Sequence, residues 1–150
     1  MIKTDYELLI SQAQALVEDV PWPIANLANV SALLYDSLED VNWAGFYIKE
    51  GDFLVLGPFQ GKIACVEIPV GRGVCGTAAR DHTTQLVPDV HCFEGHIACD
   101  SASRSEIVVP VHRGGELFGV LDIDSPVKGR FTEEDRAGLE RLVAVLEKYI

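Results

Sequence analysis

An α+β domain built on a mostly antiparallel sheet is the fold the sequence predicts, and three observations carry that expectation. Two segments with helical spacing of apolar residues open the chain, short alternating segments separated by glycine turns fill its middle, and one more helical segment closes it. A length of 150 residues with 48% hydrophobic content suits a single domain, 1–150, with a real core.

Taken in order, Thr4 or Asp5 can cap a first helix that places Leu9, Ala13, Leu16 and Val17 on one face. Pro21-Trp-Pro23 breaks it, and Pro23 suits the first turn of a second helix carrying Leu27, Val30, Leu34 and Leu38. Trp43 to Ile48 and Phe53 to Phe59 read as strands joined by the turn Glu50-Gly-Asp52, with a third strand over Lys62 to Val70. A short helix follows over about Val74 to Arg80. The stretch from Asp81 to Arg104 is irregular apart from a brief strand at Gln85 to Val87, and a connection that long in a small domain is more often functional than idle. Glu106 to Val111 and Leu117 to Ile123 form strands around Arg113-Gly-Gly115. Thr132-Glu-Glu-Asp135 starts the last helix, which buries Leu139, Leu142, Val143 and Leu146.

Composition excludes several classes of function. A formal net charge of −11 argues against nucleic acid, whose phosphates demand clustered Lys and Arg. No apolar run approaches the roughly 18 residues of a membrane span, and the opening residues lack a basic region followed by an apolar core. The cytoplasm is the expected compartment. There four cysteines stay reduced, and exposed ones read as catalytic, redox-sensing or metal-binding.

Period-two geometry puts Asp122 and Asp124 on one strand face and Leu121 and Ile123 on the other. Two like charges so placed raise each other's pKa unless a cation lies between them, although a solvated strand end would look the same. Whether Glu106 joins them depends on register. A two-residue Gly114-Gly115 turn pairs Glu106 with Ile123, on the wrong face. A three-residue loop with a bulge sets it opposite Asp122 or Asp124, and the longer loop is the expectation.

Among the thiols, Cys75 follows Gly73 at a helix start, where the helix N-terminus lowers a thiol pKa. Cys99 lies in a polar loop near Arg104. Cys65 sits on an alternating strand and reads equally well as core. His91-Cys92 and His96 with Cys99 offer two imidazoles and two sulfurs, but the second Cys-x-x-Cys knuckle of a zinc site is missing, so no metal is expected. Trp43, Gly45 and Tyr47 share a strand face. Gly45 leaves room between the two rings for a methyl or thioether group, which aromatic rings receive favourably. Gly71-Arg-Gly-Val-Cys-Gly76 lacks both the GK[ST] ending of a P-loop and GxGxxG spacing.

With these motifs the chain resembles the free methionine-R-sulfoxide reductases, a family of GAF-domain enzymes, from about Leu27 to Leu146. The resemblance rests on Asn42-Trp-Ala-Gly-Phe-Tyr47, Leu56-Gly-Pro-Phe-Gln-Gly-Lys-Ile-Ala-Cys65, Gly71-Arg-Gly-Val-Cys-Gly-Thr-Ala78, Gly95-His-Ile-Ala-Cys-Asp100, Ser105-Glu-Ile-Val108 and Gly119-Val-Leu-Asp-Ile-Asp-Ser125. It implies a single GAF-like domain whose central sheet is flanked by the N-terminal helices and a C-terminal helix.

It further implies that Cys99 attacks the sulfoxide, that Cys65 resolves the product as a disulfide, and that Cys75 is an auxiliary thiol. Glu106, Asp122 and Asp124 would supply a proton and hold the substrate ammonium, with Trp43 and Tyr47 receiving its methyl end. External thioredoxin, itself fed by NADPH, would be the reductant, with no bound cofactor. Local chemistry favours Cys75 as the reactive thiol while the resemblance favours Cys99. The resemblance prevails, because placement against the substrate outweighs pKa alone. Cys92 is an addition to the family pattern. Apolar faces on the outer helices, together with the resemblance, point to a homodimer. The alternative is a non-catalytic GAF module that binds a small ligand or senses redox state.

Overall fold

The computed structural model describes residues 3–95 and 102–150. Helix α1 spans Tyr6–Val17, and its first turn is closed by the Asp5 side chain accepting from the Leu8 N–H at 3.1 Å. It buries Leu9, Ala13 and Val17, while Leu16 stays at the surface. Helix α2, Pro23–Ser37, begins on the expected proline, whose missing N–H costs nothing in a first turn.

Six strands follow: β1 (Trp43–Glu50), β2 (Phe53–Gly61), β3 (Glu67–Pro69), β4 (Gln85–Val87), β5 (Ser105–Arg113) and β6 (Glu116–Ser125). They form one sheet in the order β3-β2-β1-β6-β5-β4, with every pair antiparallel. Helix α3 (Gly73–Asp81) lies between β3 and β4, and α4 (Glu133–Leu146) closes the domain. Among the described residues, no helix is long and apolar enough to cross a membrane.

The alternation of the central strands divides the protein into two layers. Ala44, Phe46, Ile107, Val109, Leu121 and Ile123 face α1, α2 and α4 and form the larger core. Trp43, Tyr47, Val108 and Val120 face the other way and pack with α3 through Val74, Cys75, Ala78 and Ala79. The expected pairing of Thr132 with Asp135 is a complete capping box. Thr132 Oγ1 accepts from the Asp135 N–H at 3.3 Å, and Asp135 Oδ2 accepts from the Thr132 N–H at 2.8 Å.

Asp135 is also the hub of a buried polar group, bonded by the Tyr6 hydroxyl at 2.6 Å and paired with Arg130 Nη1 at 3.4 Å. Arg130 in turn donates to the Glu39 carbonyl at 2.8 Å, tying the α2–β1 connection to α4. Removing one partner of a buried ion pair strands the other charge. Arg130→Met is therefore expected to lower the unfolding free energy by about 3–5 kcal/mol, read by urea denaturation.

Two expectations about the strands are corrected. The third strand is not Lys62 to Val70 but only Glu67–Pro69, and Lys62 to Val66 is a loop with Ile63 91% exposed. The β5–β6 hairpin has the two-residue turn, since Arg113 pairs with Glu116 and both Gly114 and Gly115 adopt positive φ. A bulge inside the hairpin then shifts the register between His112↔Leu117 and Val111↔Gly119, leaving Phe118 as the extra residue. The bulge accomplishes what a longer loop was expected to do, and Glu106 pairs with Asp124.

Candidate active site

Glu106 on β5 and Asp122 and Asp124 on β6 project from one face of neighbouring strands, because Glu106 pairs with Asp124 and Val108 with Asp122. From β1, Trp43 lies opposite Asp124 and Gly45 opposite Asp122, which brings the aromatic side chains to the same face. Helix α3 covers this surface with its first turn. The result is a cavity lined by Trp43, Tyr47, Cys75, Glu106, Asp122 and Asp124, with Ile63, Ala64, Ile68, Arg72, Gly73, Val74 and Ser103 completing its wall. Six of the expected site residues thus meet in one hollow. Cys65 is half-buried on the loop that runs over this cavity and is disulfide-bonded. Cys75 and Cys92 carry free thiols. Cys99 and His96 fall outside the described residues.

Burial excludes the solvated strand end for Asp122, which is 5% exposed, and Glu106 is 7% exposed. The Glu106 carboxyl is held well above its usual range by burial first, then by the charges of Asp122 and Asp124 and hydrogen bonds with them. A carboxyl so placed keeps a proton that a surface glutamate would have lost.

The expectation that Cys75 is activated at its helix start is overturned. It does lie in the first turn of α3, but it is buried, with Sγ 3.9 Å from Glu106 Oε2. Its pKa is pushed up by burial first, and then by the negative charges of Asp122, Glu106 and Asp124. Loss of water and three acids outweigh one helix terminus, and the thiol stays protonated.

The space beside Gly45 is also differently used. Gly45 pairs with Phe59, and a Cβ on Gly45 would overlap the Phe59 Cβ and crowd the Pro58 carbonyl oxygen. Trp43 stacks on Phe59 at 5.1 Å and on Tyr47 at 5.9 Å, so the three rings form a continuous aromatic wall. Gly45 makes room for Phe59, and ligand space lies in front of the wall. A shift in the β1–β2 register between Gly45 and Tyr47 accommodates the Gly57-Pro58 pair and sets Phe59 on this face.

The polar atoms of that wall hold the cysteine-bearing loop. Trp43 Nε1 donates to the Lys62 carbonyl at 3.1 Å, and the Tyr47 hydroxyl donates to the Cys65 carbonyl at 2.9 Å. Burial, followed by the charge of Asp122, raises the Tyr47 pKa further, so its phenol remains a donor. These bonds explain why Lys62 to Val66 leaves the strand path. Arg72, Ser103 and Phe59 are the lining or supporting residues that sequence reasoning missed. Arg72 could have been found as the cation next to the helix start, whereas Phe59 depends on the shifted register.

The GAF domain family model matches residues 9–150. Free methionine-R-sulfoxide reductase of Escherichia coli is 65% identical over 127 residues, covering 85% of this chain and 77% of that one. The Saccharomyces cerevisiae free methionine-R-sulfoxide reductase is 47% identical over 150 residues, with coverages of 95% and 83%. The structure of fRMsr of Staphylococcus aureus in complex with substrate superposes with a TM-score of 0.95 at 52% identity, covering 99% of this chain and 97% of that one.

Proposed function

The chain belongs to the GAF-domain family of free methionine-R-sulfoxide reductases, and from that premise we propose that it reduces free L-methionine (R)-S-oxide to methionine. The observation that carries this reading is the cluster of carboxyl groups, Glu106 and Asp122 buried, facing an aromatic wall beneath a cysteine-bearing loop. Cys99 is assigned the attacking thiolate, which bonds the sulfoxide sulfur. Glu106 gives a proton to the departing oxygen. The protonated oxygen then passes from the substrate sulfur to the Cys99 sulfur as the S–S bond between the two breaks, which releases methionine and leaves Cys99 as a sulfenic acid. The Cys65 thiol then attacks that sulfur and releases water as the disulfide forms. Two electrons pass from the two thiols to the substrate sulfur. The disulfide already present at Cys65, with Cys75 and Cys92 both free, supports Cys65 as the resolving thiol.

Substrate polarity fits the two walls. Asp122 and Asp124 take the ammonium group of a free amino acid. Arg72 and the first turn of α3, whose N–H groups have no side-chain cap, line the same cavity, and these receive the α-carboxylate. A peptide-bound residue presents neither charge. Arg72→Met is expected to raise KM for free sulfoxide about tenfold with little change in kcat, because a hydrogen bond to a charged group contributes about 1.5–3 kcal/mol and this one lies at an exposed rim. The same variant should lose part of its discrimination against the methionine sulfoxide amide.

Thioredoxin, fed by NADPH, resets the disulfide by exchange. The cytoplasm is the assigned compartment, and no resident cofactor or metal is required for the cycle. A homodimer is supported by exposed Leu8, Trp22 and Ile24 at the surface of α1 and α2, at 55%, 69% and 69% exposure. The deciding measurement incubates reduced protein with the free R-sulfoxide and counts both methionine and remaining thiols. One methionine formed and two thiols lost per chain is the expected result. Binding without either change would leave the protein as a ligand-binding or redox-sensing GAF module.

A further inference from the structure

The floor of the cavity gathers one thiol and two carboxylates from three different elements: Cys75 from α3, Glu106 from β5 and Asp122 from β6. One ligand atom of each lies within 4.8 Å of the other two, and all three residues are more than nine-tenths buried. A zinc-class ion bonds a thiolate at about 2.3 Å and a carboxylate oxygen at about 2.0–2.2 Å, so a tetrahedral angle between them separates sulfur from oxygen by roughly 3.5 Å. Cys75 Sγ and Glu106 Oε2 stand at 3.9 Å, within a few tenths of an ångström of that span. Among the described residues, the thiol finds its partners only inside this group, in Glu106 and Asp122. The charges that act most strongly on Cys75 and Glu106 all come from acids.

We propose that Cys75, Glu106 and Asp122 form a chelating site for a divalent cation of the zinc class, which occupies the substrate cavity and holds the protein in a reversible inhibited state. That binding inhibits rests on the reductase reading above. That binding occurs does not. The thiolate selects zinc, cadmium or cobalt(II) over magnesium or calcium. The ion enters as its ligands give the thiol proton and the carboxyl proton to water. No electron moves, so a chelator restores the starting state. Cys75 is free while Cys65 is disulfide-bonded, so the site is complete in the oxidised protein as well.

The test therefore uses oxidised full-length protein, in which Cys65 cannot compete. Zinc is titrated against a chromophoric chelator, and proton release is followed in the same experiment. One tight ion per chain is expected, with affinity rising with pH. Cys75→Ser should weaken it about 10–100-fold or more, while Cys92→Ser should leave it unchanged. Cobalt(II) added to the unmutated protein should give a thiolate charge-transfer band, a readout that survives if Cys75→Ser misfolds. No stoichiometric binding, unchanged affinity in a folded Cys75→Ser, or cobalt binding without the band would each overturn the proposal. Zinc should also raise the apparent KM for the sulfoxide, reversibly with EDTA. Tight zinc binding in a protein that makes no methionine would retain the metal site and remove the reductase reading instead.

Discussion

Glu106→Gln is expected to lower kcat/KM for free methionine R-sulfoxide by about 10²–10⁴-fold, the usual range for loss of a positioned acid. Glutamine keeps the shape and the strand register but has no proton of suitable acidity for the departing oxygen. The pH profile separates this role from a packing defect. Burial, then the charges of Asp122 and Asp124, hold the Glu106 carboxyl well above its ordinary value of 4.5. Wild-type activity should therefore fall as pH rises through the raised value, and the residual activity of the variant should lack that limb.

The substitution moves stability the other way. The folded protein keeps a proton on Glu106 that the unfolded chain releases near the ordinary glutamate pKa. Its stabilising contribution is thus complete below that pKa and lost as pH rises through the folded one. Glutamine does not titrate, so the variant should melt at or above the wild-type temperature at neutral pH. A large activity loss together with a lowered melting temperature would contradict the assignment.

Cys99→Ser is expected to abolish methionine formation even in a single turnover with stoichiometric protein, because no other thiol is assigned to attack. Cys65→Ser should give a different signature: about one methionine per chain, a sulfenic acid trapped by a dimedone-type reagent, and no thioredoxin-driven cycling. Cys75 is no substitute attacker, since burial and three acids hold its thiol protonated. Methionine formation at wild-type rate by Cys99→Ser would transfer the nucleophile elsewhere. Sustained cycling by Cys65→Ser would make Cys75 the resolving thiol.

The helices and central strands were legible because local signals agree with tertiary demand. Asp5, Pro23 and the Thr132–Asp135 pair mark helix starts that the structure keeps, and alternation along Leu121 to Asp124 sorts core from site. What was illegible depends on partners distant in sequence. The segment Lys-Ile-Ala-Cys-Val alternates like a strand, yet donors on Trp43 and Tyr47 pull it into a loop, and no pattern within the segment reveals them. Cys75 departs from its local reading for a related reason. Its helix position is local, whereas the carboxylates above it arrive from strands some thirty and more residues away.

The displaced residue at Phe118 has a further consequence for how this protein tolerates insertions. The hairpin tip and the acidic trio are phased separately, with the phase reset occurring between them. Lengthening the tip at Gly114-Gly115 by one residue leaves the pairing below the reset free to persist. Pairing Phe118 with Val111, in place of Gly119, removes the reset and sets Glu106 opposite Ile123, off the face it shares with Asp124. The hairpin therefore has a permissive end and a fixed centre, separated by only a few positions along the chain.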